Sequence, residues 1–290
     1  MASTIALKRR IGSVKNTKQI TKAMELVAAS KMRKATEAAH RGRAYRQAAH
    51  SMLSRLNTVT EISEHPLYKS RPVKNRLYVV ITSDRGLAGA YNANIIKMLT
   101  RTVSGDKKSG IQSQIIIVGK RGAQFLRRVE GIDLIAAYSD FGDHPTANDI
   151  RPILDTITAK YRSAETDEVL LFYTEHKSNI LQTAQSLHIL PAVFDSTETT
   201  EQPLTDVTFE PSITEVLENV TERLLEVQIW QALLESIASE HSMRMLSMKN
   251  ATDNATDIIA DLTLEFNTAR QAKITQELAE ITGGSEAMKE

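Results

Sequence analysis

The sequence has no cysteine, which excludes disulfides, thiolate metal ligands and cysteine nucleophiles. Aromatic residues make up only 5% of the 290 residues, although hydrophobic residues reach 41%, which is enough to build a core. Few aromatics together with much Ala, Glu, Lys, Leu and Arg is a composition typical of long helices. No apolar run approaches the roughly 20 residues that span a bilayer, and residues 1–10 lack the pattern of a secretory signal. We therefore expect a soluble, cytoplasmic protein.

Proline and glycine are missing from the 71 residues between Pro211 and Gly283. Within that stretch one seam alternates steps of three and four residues, and thirteen of its sixteen positions are apolar, where chance would give about six or seven. The seam consists of Leu217, Val220, Leu224, Val227, Gln231, Leu234, Ala238, His241, Met245, Met248, Thr252, Ala255, Ile259, Leu262, Phe266 and Ala269. The pattern predicts a helix of roughly 105 Å that begins near Ser212 and stops at Gly283-Gly284.

Residues 4–56 contain no proline and two glycines, and they carry a second seam. Its members are Leu7, Ile11, Val14, Ala28, Met32, Ala35, Ala39, Ala49, Leu53 and Leu56. Because neither apolar seam is stable alone in water, we expect the two ends of the chain to pair as a long antiparallel coiled coil over 1–57 and 212–287. The C-terminal helix is the longer one, so residues 270–281 are expected to extend beyond their intramolecular partner.

The N-terminal arm is strongly basic. Residues 1–57 contain thirteen Lys or Arg and two acids, a net charge of +11, so the rest of the chain carries −10. Such an arm indicates an acidic partner, and nucleic acid is the obvious one. However, Tyr45 is the arm's only aromatic residue, and the apolar run 26–29 shares the helix with the cations. A helix that is apolar nearly all round is buried all round, which favours a sleeve of protein; a basic coiled-coil nucleic-acid-binding protein is the alternative.

The middle of the chain has the pattern of a separate α/β domain. Apolar runs typical of buried strands lie at 77–82, 114–119, 132–137 and 169–174, with a further candidate at 188–194. Helical stretches near 93–102, 123–129 and 146–162 separate the runs. Strands that alternate with helices predict a largely parallel, Rossmann-like sheet over 76–195, and residues 196–211 form an acidic, Thr-rich connection back to the long helix.

No motif in the sequence carries bond chemistry. Ser83–Ala90 follows a strand and precedes a helix, as a phosphate loop would, but its G-x-x-G spacing is not G-x-G-x-x-G, and Gly119–Gly122 lacks the Ser or Thr that would bind a metal ion. The seven histidines show no ligand spacing. His241 lies on the C-terminal seam, where a single polar residue more often fixes the register of a coiled coil than binds metal. We therefore expect a non-catalytic chain without metal or cofactor.

Several long motifs resemble the gamma subunit of the F-type, rotary ATP synthases. They occur in both predicted helices and in one loop of the middle domain, at Lys15–Met24, Val27–Lys31, Ser83–Ala90, Ala238–His241, Met248–Asn254 and Ala269–Glu277. The resemblance implies a central shaft inside a ring of alternating alpha and beta subunits, present in one copy. Its lower end would meet the epsilon subunit and the membrane ring of c subunits. Rotation driven by proton or sodium flow would couple ion transport to ATP synthesis or hydrolysis at the beta subunits.

The resemblance also assigns roles to particular residues. Those implied to contact beta subunits are Lys22, Met24, Arg33, Arg85, Arg244, Gln271 and Thr275. Those implied to lie at the foot, near epsilon and the c ring, are Val207, Phe209 and Glu210. The chain has neither the inserted segment of photosynthetic gamma subunits nor a transit peptide pattern, so we expect a bacterial member, peripheral on the cytoplasmic side of the inner membrane.

Overall fold

The computed structural model describes residues 4–56, 65–129, 132–143, 145–192 and 212–287. The described helices and strands, in chain order, are α1 (Thr4–Leu56), β1 (Asn75–Ile81), α2 (Tyr91–Lys108), β2 (Gln112–Val118), α3 (Lys120–Leu126), β3 (Asp133–Tyr138), α4 (Ala147–Arg162), β4 (Glu168–His176), β5 (Gln182–Leu190) and α5 (Ile213–Ala287). The chain divides into two compact units: unit 1 comprises Met1–Ala28 and Met245–Glu290, and unit 2 comprises Ala29–Arg244.

Unit 2 contains the predicted sheet, with strand order β3-β2-β1-β4-β5. β1 pairs in parallel with both β2 and β4, and β2 pairs in parallel with β3, as the alternating pattern predicts. β5 pairs antiparallel with β4. Of the strand expected at 188–194, residues 188–190 belong to β5, which begins earlier, at Gln182, and ends at Leu190, because β5 forms a hairpin with β4.

The central strands are apolar on both faces because helices cover both faces of the sheet. On one side Val80 and Ile117 pack with Ile95 of α2 and Leu126 of α3. On the other side, alternate residues of the same strands pack against α4 and α5; that cluster includes Val79, Ile116, Leu171, Ile153 and Leu233. The middle of α5 is thus part of the core of the sheet.

Unit 2 also contains the contact between the second half of α1 and α5. The predicted seam residues Met32, Ala35 and Ala39 are all buried. Alanine leaves so little side chain that the backbones approach closely, and the Gln231 amide nitrogen of α5 donates a hydrogen bond of 3.1 Å to the Ala39 carbonyl oxygen. The polar seam position 231 is therefore explained by a backbone acceptor on the facing helix.

Unit 1 consists of the start of α1 and the end of α5, which pack antiparallel along the predicted seam. Leu7 and Leu262 are buried, and the Thr252 hydroxyl donates to the Thr21 hydroxyl over 2.8 Å. The pairing of the two chain ends is confirmed.

The end of α5 matches the sequence prediction in one respect and differs in another. Ala269 is the last seam residue with partial burial, and the described side chains from Arg270 to Thr282 are exposed, as expected for an overhang. The predicted stop at Gly283-Gly284 is wrong, because α5 continues to Ala287. Each helical glycine costs about 1 kcal/mol relative to alanine, which weakens a helix without ending it.

Candidate partner-contact site

The outward face of α1 in unit 1 combines basic and large apolar side chains. Lys22 forms an ion pair with Glu25 one turn along, at 3.0 Å. Ile20, Leu26 and Val27 are more than half exposed. Exposed apolar patches are a feature of surfaces that bind other proteins or membranes, and here exposed apolar side chains occur on the same helix face as cations.

The predicted contact residues outside the sheet domain lie on exposed helix surfaces. Lys22 is exposed and Met24 is half-buried on α1 in unit 1, and Arg33 is exposed on α1 in unit 2. Gln271 and Thr275 lie one turn apart on the overhang of α5, where the Thr275 hydroxyl donates to the Gln271 carbonyl oxygen. These five positions are available to partner chains.

Arg85 and Arg244 are brought together in unit 2 although they are 159 residues apart in sequence. Arg85 is exposed on the loop after β1. Arg244 is buried in α5, where its guanidinium donates to the Gly86 carbonyl oxygen at 3.3 Å and to the Arg85 carbonyl oxygen at 3.4 Å. The two arginines thus belong to one local structure and differ in accessibility.

Val207, Phe209 and Glu210, predicted for the foot, lie outside the described residues. Among the residues that the structure does describe, no helix has both the length and the hydropathy to cross a membrane. The same ranges hold no group of three or more acidic or histidine side chains placed to bind a metal ion.

A partly buried polar cluster surrounds His241 in unit 2. Lys31 of α1 pairs with Asp143 at 2.7 Å, and Asp143 also lies 3.3 Å from His241 Nε2. Arg244 Nη1 lies 3.1 Å from His241 Nδ1. Because a guanidinium only donates, His241 Nδ1 must accept, and the ring proton therefore sits on Nε2, where it faces the Asp143 carboxylate. The cluster links α1, α5 and the loop between β3 and α4.

Burial and neighbouring charges set the ionisation of this cluster. Burial, followed by the charge of Arg244, lowers the pKa of His241 to about 4, so the imidazole is neutral at physiological pH. Burial alone would raise the pKa of Asp143, but the hydrogen bond and charge of Lys31 outweigh it and hold that pKa below its usual value. Burial raises the pKa of Glu240, against the opposing charge of Arg244.

Helix α5 covers the edge of the sheet where Rossmann-like domains bind ligands. That place lies at the carboxyl ends of β1 and β4, where the strand order reverses. Here the Ser236 hydroxyl of α5 accepts from the Thr174 amide at 3.0 Å, and the Ser239 hydroxyl donates to the Thr174 carbonyl at 3.1 Å. Side chains of the same protein thus satisfy groups that would face a ligand crevice.

The glycines after β2 are explained by close packing. Gly119 has a φ of 102°, and a Cβ there would lie 2.2 Å from the Thr82 carbonyl oxygen. A Cβ at Gly122 would lie 2.6 Å from the Thr82 hydroxyl oxygen. The turn therefore needs glycine in order to pack on β1, which is a different use from cradling a phosphate.

The structural roles of three residues of this region were not predicted from the sequence. Lys31 and Asp143 pair across 112 positions of sequence, and no periodic pattern links them. Leu87 is 63% exposed with a φ of 63°, a combination that only the folded loop shows. In the sequence Arg85-Gly86-Leu87, the glycine indicates a turn. It does not indicate which neighbouring side chain is exposed, so the signal is weak.

Comparison with known proteins gives a family and a fold. A family model described as ATP synthase matches residues 3–288. The central stalk of the mitochondrial ATP synthase of Tetrahymena thermophila contains a chain that is 25% identical, with a TM-score of 0.64; the match covers 80% of this chain and 99% of that one.

Two structures of the mitochondrial ATP synthase of Euglena gracilis share the fold. A chain of its rotor is 16% identical with a TM-score of 0.65, and the match covers 93% of this chain and 98% of that one. A chain of its OSCP/F1/c-ring structure is 18% identical with a TM-score of 0.69, over 98% of this chain and 94% of that one.

Proposed function

The chain belongs to the gamma-subunit family of ATP synthase, and from that premise we infer that it is the central rotary shaft that couples transmembrane proton or sodium flow to ATP synthesis or hydrolysis. The observation that carries this function is the antiparallel pairing of the two chain ends in unit 1, shown by the bond between Thr21 and Thr252. The chain is a non-catalytic subunit, because ATP forms on other subunits of the complex in this family.

The shaft works by changing which surface it presents to each catalytic partner. A ligand or partner shifts a conformational equilibrium only by its differential interaction with the two states. Reversing a population from 1:99 to 99:1 requires about 5.5 kcal/mol, whereas one exposed ion pair contributes about 0–1 kcal/mol. We therefore attribute coupling to broad steric contact with an asymmetric shaft and not to a few ion pairs.

The basic arm is proposed to face acidic segments of the surrounding beta subunits. Its net charge of +11 supports contact with acidic segments, and we propose Lys22, Met24 and Arg33 as the contact residues. Exposed Leu26 and Val27 on the same arm favour a protein partner over nucleic acid. A nucleic-acid role is not proposed.

The overhang of α5 is proposed to lie in the upper part of the alpha and beta ring, with Gln271 and Thr275 against a beta loop. A groove of about 310 Å³ beside the start of α1 is lined by Ile5, Lys8 and Arg270 among others. Its lining is mostly apolar and cationic, with Glu277 as an acidic member, which supports contact with another protein chain. Arg85 is proposed as a beta contact at the loop after β1.

The remaining assignments follow the family. Residues 1–57 and 212–287 form the shaft, 76–195 form the α/β domain, and 196–211 form the connection at the foot. Val207, Phe209 and Glu210 are proposed to face epsilon and the c ring. We propose one copy per complex, on the cytoplasmic side of a bacterial inner membrane.

Co-purification tests the assignment. The full chain carrying an affinity tag is expressed in its own host, isolated from mild detergent extracts, and analysed by quantitative mass spectrometry. We expect alpha and beta in three-fold excess over the chain, as in a ring of alternating subunits around a single shaft, together with epsilon. Recovery of nucleic acid in place of these subunits would overturn the proposal and revive the alternative.

A further inference from the structure

The loop between β1 and α2 holds a large side chain in an unusual backbone conformation. We call residues 83–89 the contact loop. Leu87 has a φ of 63° and its side chain is 63% exposed. Residues other than glycine rarely adopt this left-handed region, and such strain persists only where surrounding structure over-determines it. An exposed leucine gains nothing from the strain within this chain, so the conformation points to a contact with another molecule.

Hydrogen bonds fix the first half of the contact loop. The Ser83 hydroxyl donates to the Arg85 carbonyl oxygen at 2.7 Å and accepts from the side-chain amide of Asn92 at the same distance. The Asp84 carboxylate accepts the Lys120 and Asp140 backbone amides, each at 3.0 Å. The loop is therefore tied to α2 and to the ends of β2 and β3.

Arg121 packs on the backbone of the contact loop at its centre. A Cβ at Gly86 would lie 2.8 Å from Arg121 Nη2. The guanidinium therefore lies directly against the glycine, and its position limits movement of the loop toward α3.

Arg244 supports the same segment from the side of α5. Its Nε and Nη2 donate to the Gly86 carbonyl oxygen, and Nη2 also donates to the Arg85 carbonyl oxygen. Nη2 further donates to Glu240 at 2.6 Å, and Nη1 donates to His241. Each nitrogen of the group thus has an acceptor within unit 2, and only 8% of the residue is exposed. A side chain engaged in this way does not reach a partner with its charge.

We propose that Arg244 is a positioning residue, which fixes the backbone of the contact loop so that Arg85 and Leu87 are presented to a beta subunit. The proposal rests on the proposed function for the contact itself, and it assigns Arg244 a part that differs from direct contact. The planar guanidinium binds two successive carbonyl oxygens, which the ammonium of lysine does not reproduce with the same geometry.

The first test measures hydrogen exchange of the contact loop in the assembled complex. In Arg244→Lys, we expect the amides of residues 84–88 to exchange about ten-fold faster than in the wild type, since the hydrogen bonds lost are from a charged donor. Arg223→Lys on the same helix is the matched control and should leave these amides unchanged. Unchanged exchange in Arg244→Lys would overturn the proposal, whatever the role of Arg85.

The second test is a double-mutant cycle on the ratio of ATP-driven ion pumping to ATP hydrolysis in membrane vesicles. If Arg244 acts through the contact loop, the ratio of pumping to hydrolysis in the double variant Arg244→Lys, Arg85→Ala should equal that of the worse single variant, within about two-fold. If the fold-loss of the double variant is instead the product of the two single losses, Arg244 makes an independent contact and the proposal is overturned. A wild-type ratio for Arg85→Ala with faster loop exchange in Arg244→Lys would contradict the Arg85 contact while supporting the positioning role.

Ser83→Ala provides the same test from the loop side if Arg244→Lys does not assemble. It removes the hydroxyl that holds the Arg85 carbonyl and leaves Arg244 in place. We expect faster exchange at 84–88 and a lower ratio of pumping to hydrolysis. Faster exchange with a wild-type ratio would contradict the claim that the loop must be held for contact.

Discussion

His241 occupies a seam position of α5 as a neutral imidazole because burial and the charge of Arg244 lower its pKa. Arg244 donates a hydrogen bond to His241 Nδ1, and the Nε2–H of His241 faces the Asp143 carboxylate. Lys31 balances the charge of Asp143. Within unit 2, the seam therefore selects one arrangement through specific hydrogen bonds as well as through apolar contact, which is the role expected of a single polar residue in a coiled coil.

The lowered pKa of His241 predicts a loss of stability at mildly acidic pH. Its pKa of about 4 in the folded state lies below the ordinary 6.5, so the unfolded chain binds the proton first. The stabilisation is complete above pH 6.5 and is lost as the pH falls towards 4, by on the order of 3 kcal/mol. In urea unfolding of the full chain, His241→Gln should therefore lose less stability than the wild type between pH 6.5 and 4. Parallel pH profiles would contradict this account.

Single cations of the arm should contribute little to coupling. Lys22 is exposed and already paired with Glu25 on its own helix, and an exposed pair is worth about 0–1 kcal/mol. We expect Lys22→Ala and Arg33→Ala to retain most of the ratio of ion pumping to ATP hydrolysis in reconstituted vesicles.

A new charge on the same surface should do more harm than a lost one. Met24 is half-buried, and a lysine there would pair with one acidic partner segment and so favour one rotary angle. Met24→Lys should lower the ratio of pumping to hydrolysis more than either alanine variant. Abolished coupling in Lys22→Ala with a silent Met24→Lys would favour the ionic mechanism over the steric one.

A cross-link between the two long helices tests their antiparallel pairing. Thr21 and Thr252 face each other in unit 1 with their hydroxyl oxygens 2.8 Å apart, and the chain has no native cysteine. The pair Thr21→Cys, Thr252→Cys should form a disulfide within one chain, since a disulfide requires Cα atoms closer than about 7 Å.

A control pair of cysteines and a measurement of ATP hydrolysis complete the cross-linking test. Thr21→Cys with Thr256→Cys is the control, because Thr256 is exposed one turn along α5 and should link much less. The linked shaft should still support ATP hydrolysis, because the link joins parts of the same rotating chain. Dimers linked between chains as the main product would contradict the pairing.

Two glycines in helices distinguish the effect of close packing from the effect of helix propensity. A Cβ at Gly122 of α3 would lie 2.7 Å from Ile117 Cδ1, whereas a Cβ at Gly105 of α2 would meet nothing within 4 Å. Gly105→Ala should stabilise the chain by up to about 1 kcal/mol. Gly122→Ala should destabilise it, because overpacking costs about 1–3 kcal/mol. Denaturant unfolding of both variants measures the difference, and equal shifts in the same direction would refute the packing role.

Periodicity predicts the elements of this chain well because each seam or strand depends on neighbours in sequence. The heptad seam of α5 and the four parallel strands follow from local spacing alone. The hairpin register of β5 depends on pairing with β4, so its start at Gln182 was not predicted. No local pattern encodes long-range contacts. These include the hydrogen bonds from Arg244 to the contact loop and the ion pair of Lys31 with Asp143.

The chain combines a scaffold with separate surfaces that are exposed to partner subunits. The sheet of unit 2 is covered by α5 where related folds bind ligands, so the domain contributes rigidity and contact loops. The exposed side chains of α1 and of the α5 overhang remain for other chains to cover. A shaft of this kind performs no bond chemistry, and its output is a different contact surface at each angle.

Rotation of the chain inside its ring is the direct test of its role as a shaft. The chain with Lys108→Cys, an exposed position at the end of α2, is assembled with alpha and beta subunits and labelled at its single cysteine with a visible probe. The ring is fixed to a surface, and the probe is followed after ATP is added. We expect continuous rotation in one direction, which stops when ATP is withdrawn. Sustained ATP hydrolysis by complexes whose probe stays fixed would contradict the account.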